Sequence, residues 1–307
     1  MAPGGVWRYG HGMNHSGKVT LVTDSAACLP HNLIVQHGVR VVPLHEDGTH
    51  TSRPSVSALY EAYREALEAG GEVLAVHLGS SLSGTIDHAR RAAAMLNQEC
   101  CPQSPAVRVV DSGVSSAALG YAVLAGAGGH DGRSAAALAM ESAARSRVFF
   151  LLSDVSYLQR GGRAAQLRLT STLGAHPLLD LHGGTMSVVE TVRGQVRARR
   201  HLMSAAIRAA CGYSPSGLPA VPRVRLAVHD SPAHDVSDRD SLACGGSLEA
   251  IRHERDHLLA DLLAACQARG VEVVQSFATP IDAAQGLHVG PGALGIVIAP
   301  VLEGAPE

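Results

Sequence analysis

The feature that most constrains this chain is an alternation in its first half. Short apolar runs rich in Val and Leu are each followed by a turn cluster and then by a stretch of 3.6-residue periodicity. The runs are Val19–Thr23, Val39–Leu44, Val73–Leu78 and Val107–Val110. They are mainly apolar and do not alternate strictly with polar residues, so they read as strands covered on both faces. The expected architecture is an open, mostly parallel sheet with helices on both sides. Ser55 caps a helix running to Ala69, with Gly70-Gly71 as its stop, and Thr85 opens another that reaches about Gln98. Functional loops of such sheets leave the carboxyl ends of the strands. Asp24-Ser25, Gly79 to Gly84 and Asp111-Ser112 therefore fall along one rim.

The pattern changes at Val148. A strand Val148–Leu152 leads into Ser153-Asp154 and a helix, then Arg160-Gly161-Gly162-Arg163 and a further helix reaching about Gly174. Pro177–Leu181 and Met186–Val192 flank His182-Gly183-Gly184, a hairpin signal. A helix from about Val196 to Ala210, a strand Val224–His229, a helix Leu248–Arg269 and strands Val271–Phe277 and Leu294–Ala299 complete a second α/β unit. The division predicted is a disordered tail over 1–17, an N-terminal α/β domain over 18–147 and a C-terminal α/β domain over 148–303.

Composition limits the function classes. Hydrophobic residues make up 46% of the 307, yet aromatics only 3%, so the cores must be aliphatic and Ala-rich. A formal net charge of −2, with Arg scattered among Asp and Glu, provides no electrostatic footprint for nucleic acid. No apolar run is long enough to cross a bilayer and no signal peptide is evident at the N-terminus, so a cytoplasmic location is expected. The six cysteines show no C-x-x-C spacing and read as reduced thiols. The seventeen histidines are taken as solvated or structural side chains, and no metal or cofactor is expected.

Three segments carry the chemistry. Gly79-Ser80-Ser81-Leu82-Ser83-Gly84-Thr85 lies between a strand and a helix, where backbone N–H groups and hydroxyls suit an anion, or serve merely as a helix cap. Thr51-Ser52-Arg53-Pro54-Ser55 repeats that choice before another helix start. In Gly286-Leu287-His288-Val289-Gly290-Pro291-Gly292, glycines around one His permit close backbone approach.

These segments, in their order, resemble the DegV family of bacterial fatty-acid-binding proteins from about Val19 to Pro300. The resemblance includes Val22-Thr23-Asp24-Ser25-Ala26-Ala27-Cys28-Leu29-Pro30, Val110-Asp111-Ser112, and Ser153-Asp154-Val155-Ser156-Tyr157-Leu158-Gln159-Arg160-Gly161-Gly162-Arg163. It implies a two-domain α/β fold with one long-chain fatty acid, such as palmitate, between the domains. Thr51, Ser52, Ser80, Ser81, Gly84 and His288 would surround the carboxylate, with Thr51 and Ser80 as its hydroxyl donors. The chain would not be an enzyme itself. It would be the lipid-binding subunit of a fatty acid kinase, presenting the carboxylate to an ATP-dependent partner that makes an acyl phosphate, with Arg163 and Arg193 contacting that partner or the phosphate.

Departures accompany the likeness. The stretch between Leu44 and Thr51 is shorter than the family pattern, Arg53 stands where Gln is usual, and Gly79 replaces the first Ser of the serine loop. Competing readings are a hydrolase using Ser80 or Ser83 with His288 and Asp111, and a lipid-binding regulatory module without a kinase. A nucleophile elbow G-x-S-x-G is lacking. A self-sufficient kinase is disfavoured, since no P-loop occurs and Lys18 is the sole lysine.

Overall fold

The computed structural model describes residues 19–47, 50–100, 106–160, 162, 167, 169, 174–212, 223–231 and 248–306, the side chains of 248–252 excepted. The expected N-terminal tail and the expected helix after Arg163 lie outside the described residues, isolated positions aside. The alternating first half folds as its pattern dictates. Strands β1 (Val19–Asp24), β2 (Arg40–Val42), β5 (Glu72–His77) and β6 (Val107–Asp111) form a parallel sheet in the order β2-β1-β5-β6.

One face of this sheet is covered by α2 (Val56–Glu68) and α3 (Thr85–Cys100), which bury Leu59, Tyr63, Ala92 and Leu96 against Val22, Val73 and Ala75. The other face meets α4 (Ser116–Gly126) and α5 (Gly132–Arg145) through Leu21, Leu74 and Val76. Alternate residues thus reach two cores, which is why the runs are mainly apolar. Ser55 accepts the Ala58 N–H as the α2 cap, as expected. The helix α1 (His31–His37) links β1 to β2.

The run expected over Val39–Leu44 is shorter, because Pro43 has no N–H to continue the ladder. Beyond it, β3 (His45–Glu46) and β4 (Thr51–Ser52) form a two-residue antiparallel hairpin.

The second sheet is mixed, in the order β11-β10-β12-β7-β8-β9. Its strands are β7 (Arg147–Leu151), β8 (Ala175–His182), β9 (Thr185–Arg193), β10 (Arg223–Asp230), β11 (Glu272–Pro280) and β12 (Leu294–Pro300). β10 and β11 run parallel and the other neighbours antiparallel. Its outer face packs on α7 (Gln195–Ala210) and α8 (Leu248–Gln267) through Phe149, Leu226 and Ile296, with Leu202 and Leu262 from the helices. Its inner face meets α4 and α5 through Val148, Leu181, Ala227 and Val297.

All eleven residues of α4 are buried. Its composition explains how a helix fits between two sheets: a Cβ on Gly120 would lie 2.7 Å from the Ala27 carbonyl oxygen and from Leu29 Cδ2. Among the described residues no helix is long and apolar enough to cross a membrane.

Candidate functional site

A cavity of about 730 Å³ lies between the two sheets. One part of its wall is apolar, made by Leu78, Val148, Phe150, Leu181, Met186 and Leu294. Another is rich in hydroxyls, with Thr51 and Ser52 from β4 and Ser80, Ser81 and Ser83 from the turn that opens α3. Gly84 and His288 also line it. All six residues expected around a ligand head group therefore reach one cavity. Arg53 is the sole Arg or Lys among its described lining residues.

The hydroxyl end is assembled from distant segments. Thr51 Oγ1 lies 3.1 Å from His288 Nε2, although 237 positions separate them. His288 sits near the end of α9 (Ala283–Val289), a short helix where the sequence suggests only a turn. The Ser80 N–H donates to Asp111 Oδ1 at 3.0 Å, and the Gly113 N–H donates to the same oxygen at 3.2 Å. Ser83 Oγ is 2.9 Å from Thr85 Oγ1. A catalytic triad would need Asp111 to orient His288 and a serine to meet its ring. Instead Asp111 accepts from the backbone amides of Ser80 and Gly113 and His288 faces Thr51, which disfavours the hydrolase reading. The Arg53 guanidinium donates to the Gly84 carbonyl at 3.3 Å and occupies the space a Cβ at 84 would need. The glycine at 84 and the arginine at 53 are therefore matched.

A buried frame holds these segments in place. Asp24 accepts from the Ala26 and Leu78 N–H groups and from His77 Nδ1 at 2.9 Å, while His77 Nε2 lies 2.7 Å from the Tyr63 hydroxyl. All three side chains are inaccessible to solvent, and burial pushes the Tyr63 phenol far above its ordinary value. The Asp24–Leu78 bond ties the end of β1 to the start of the serine loop. Ser25 Oγ accepts from the Leu44 N–H at 2.9 Å, just before the β3–β4 hairpin. Cys28 Sγ accepts from the Asp282 N–H at 3.3 Å, and Gln285 donates to the Ala26 carbonyl at 3.3 Å. The loop after β1 thus grips the helix that carries His288. Burial raises the Cys28 thiol well above its ordinary range, so it packs as a neutral group. Asp282, the cap of α9, is also raised, chiefly by burial.

Two glycine contacts explain further motif positions. A Cβ on Gly79 would lie 2.7 Å from the Gly113 carbonyl carbon, so the serine loop and the loop after β6 pack backbone to backbone. Gly290, at φ +76°, faces the Tyr157 ring, and Ser153 Oγ donates to the Gly292 carbonyl at 2.9 Å. These contacts join the turn after α9 to the segment entering α6 (Ser156–Arg160).

The cavity wall also includes His229 and Asp230, which the sequence reading leaves without a role. His229 is fully buried, accepts the Ala117 N–H at Nε2 (3.2 Å) and donates from Nδ1 to the Thr279 carbonyl (3.0 Å). Burial lowers its pKa to about 4, so the ring is neutral. Asp230 is held by Arg255 at 2.8 Å in a nearly dry ion pair. Their signal in the sequence is weak: a strand of apolar residues that ends in His229-Asp230. Of the two arginines proposed for partner contact, Arg163 lies outside the described residues. Arg193 ends the edge strand β9, is exposed and does not line the cavity. The reading of every histidine as solvated or structural also omits a motif, for His253-Glu254-Arg255-Asp256-His257 on α8 has H-E-x-x-H spacing.

Fold and cavity together define a two-sheet α/β protein with a lined cavity between the sheets. Comparison with known proteins names the kind. Residues 45–215 match the sequence profile of DegV, described as an uncharacterised protein of the DegV family. A DegV domain-containing protein of Streptomyces coelicolor is 32% identical over 317 aligned positions, covering 92% of this chain and 99% of that protein. A DegV family protein of Thermus thermophilus, whose structure is described as fatty acid binding, superposes with a TM-score of 0.72 at 27% identity, over 92% of this chain and all of that one. The DegV family protein Cg2579 of Corynebacterium glutamicum shares the fold, with a TM-score of 0.73 at 24% identity over 93% and 98% of the two chains. The chain belongs to the DegV family.

Proposed function

We propose that this chain binds one long-chain fatty acid in the inter-sheet cavity, tail against the apolar wall and carboxylate at the hydroxyl end. One observation carries the reading: a single cavity joins an apolar wall to a cluster of hydroxyls, the His288 imidazole and one Arg. The fatty acid binding described for the Thermus thermophilus relative supports it.

The energetics suit such a ligand. A sixteen-carbon acid buries about fourteen methylenes at about 0.8 kcal/mol each, roughly 11 kcal/mol of gross driving force. Association costs about 4–15 kcal/mol in lost freedom, so a poorly satisfied carboxylate would cancel much of the gain. Thr51, Ser80 and His288 supply neutral or weakly basic donors. They satisfy the head group without the two-pronged grip of a buried Arg, and one carboxylate oxygen stays available.

In the finer form of the proposal, the protein works in the cytoplasm as the lipid-carrying partner of an ATP-dependent kinase that phosphorylates the bound carboxylate. Exposure of Ser52, Arg53, Ser80 and Ser81 supports this, because the head-group end faces solvent where a second protein can approach. Arg163 and Arg193 are the proposed contacts for that protein or for the phosphate.

Native mass spectrometry of the purified protein tests the binding step, with a co-purifying fatty acid at one per chain as the expected result. Ser80→Ala and His288→Ala should each weaken retention about tenfold or more, since each removes a hydrogen bond to a charged group. Lipid-free protein that also fails to take up palmitate on titration would refute the proposal. Acyl phosphate formation with a purified kinase subunit and ATP tests the finer step, and its absence with a lipid-loaded protein would leave a binding module alone.

A further inference from the structure

The outer face of α8 presents an arrangement that neither the cavity nor the fold uses. His253 and His257 are both exposed and stand one turn apart on the helix, the spacing that brings side chains together on one face. Their Nε2 atoms are 2.7 Å apart, while their ring centroids are 4.0 Å apart and the rings are nearly perpendicular. The rings therefore lean together at their Nε2 edges. Arg255, between them in sequence, is buried and reaches Asp230 at the cavity wall, so the two histidines project away from the ligand site.

We infer that His253 and His257 form a two-imidazole site for a divalent transition metal, with copper(II) preferred. Neutral imidazole nitrogens are good ligands for late first-row metals. The 2.7 Å contact is a hydrogen bond between the two rings, and a metal would take the place of its proton, accepting both nitrogen lone pairs at about 2.0–2.1 Å. Among divalent first-row metals, copper(II) binds such nitrogen donors most tightly in the general affinity order.

The H-E-x-x-H spacing does not make this a hydrolytic zinc centre. Glu254, which would serve as base there, is paired with Arg199 on α7, and Asp256 lies 3.3 Å from Arg255. Among the described residues no group of three or more metal-binding side chains occurs, so two imidazoles with solvent in the remaining positions is the composition inferred.

The test is copper(II) titration of the metal-free, tag-free full-length protein, followed by calorimetry and electron paramagnetic resonance. The chain has seventeen histidines, so the comparison must be between variants. His253→Ala and His257→Ala should each lose one copper equivalent or weaken it by about tenfold or more. His130→Ala, which removes another exposed histidine, should not. The nitrogen hyperfine pattern of the tightest site should report two imidazoles in the parent and fewer in either variant. Alanine is a good helix former, so α8 and the lipid affinity should survive both changes, which circular dichroism and palmitate titration check. Copper binding by His253→Ala and His257→Ala with the parent's stoichiometry, affinity and spectrum would overturn the inference, as would parent affinities in which zinc exceeds copper.

Discussion

At the scale of single residues, His229 and Arg53 carry the sharpest expectations. His229 is neutral in the fold with its pKa lowered to about 4, against about 6.5 in the unfolded chain. The folded state therefore binds fewer protons than the unfolded state between those values. Its contribution to stability is fully present above about pH 6.5 and disappears as pH falls to about 4, by roughly 3 kcal/mol at most. Urea unfolding of the lipid-free protein across that window should give a steeper acid loss for the parent than for His229→Gln. Equal slopes would contradict the buried neutral ring. Asp282, whose pKa is raised, acts with opposite sign, so the difference between the two proteins is the informative quantity. Arg53 is exposed, and exposed charge pairs contribute about 0.2–1 kcal/mol. Arg53→Gln should weaken palmitate binding by only about two- to fivefold and flatten its salt dependence. A hundredfold loss would mean the guanidinium grips the head group directly.

At the scale of elements, the parallel sheet and the β8–β9 hairpin are legible in the sequence, because mainly apolar runs and Gly183-Gly184 each report a local preference. Three elements are not. The β3–β4 hairpin has no apolar alternation to announce it, and α9 is only seven residues, with Gly286 in its middle, whose helicity follows from the Asp282 cap and from the grip of Cys28 and Ala26. The Asp24–His77–Tyr63 chain is equally hidden: the register that sets Val22 against Ala75 also brings Asp24 level with His77, and no single segment encodes that. Thr51, Ser80 and His288 are legible as a set only through family resemblance, since each taken singly also reads as a cap or a structural histidine. Helix α4 is the element whose sequence is most tightly bound to its place. Gly120→Ala gains about 1 kcal/mol of helix propensity, but its methyl would press on the Ala27 carbonyl, and overpacking costs about 1–3 kcal/mol. The net expectation is destabilisation in denaturant unfolding. Palmitate affinity should fall as well, because Ala26 and Cys28 beside the displaced carbonyl hold α9. An increase in stability would mean that the helix can shift freely.

At the scale of the whole molecule, the halves that the sequence suggests as domains over 18–147 and 148–303 share one hydrophobic core. Leu21 and Leu74 from the first sheet, Val148, Leu181 and Val297 from the second, and Leu119, Tyr121 and Val123 from α4 belong to the same buried cluster. Tyr121 donates to the Leu226 carbonyl at 2.6 Å, and the Ala117 N–H donates to His229, so the helix is hydrogen-bonded to the second sheet while being connected in sequence to the first. A fragment ending at residue 147 would expose the side of α4 that meets the second sheet, including Tyr121, and at about 25 cal/mol per Å² the lost apolar burial is large against the roughly 5–15 kcal/mol by which domains are stable. The full chain should therefore unfold in one calorimetric transition, with calorimetric and van't Hoff enthalpies in agreement. The fragment 18–147 should lack fixed tertiary structure by near-ultraviolet dichroism. A ligand that touches both sheets must stabilise this single unit, so palmitate at a hundred times its dissociation constant should raise the unfolding free energy by about 2.7 kcal/mol without splitting the transition. Two resolved transitions, only one of which moves with lipid, would mean that the cavity belongs to one half and that the shared core does not couple them.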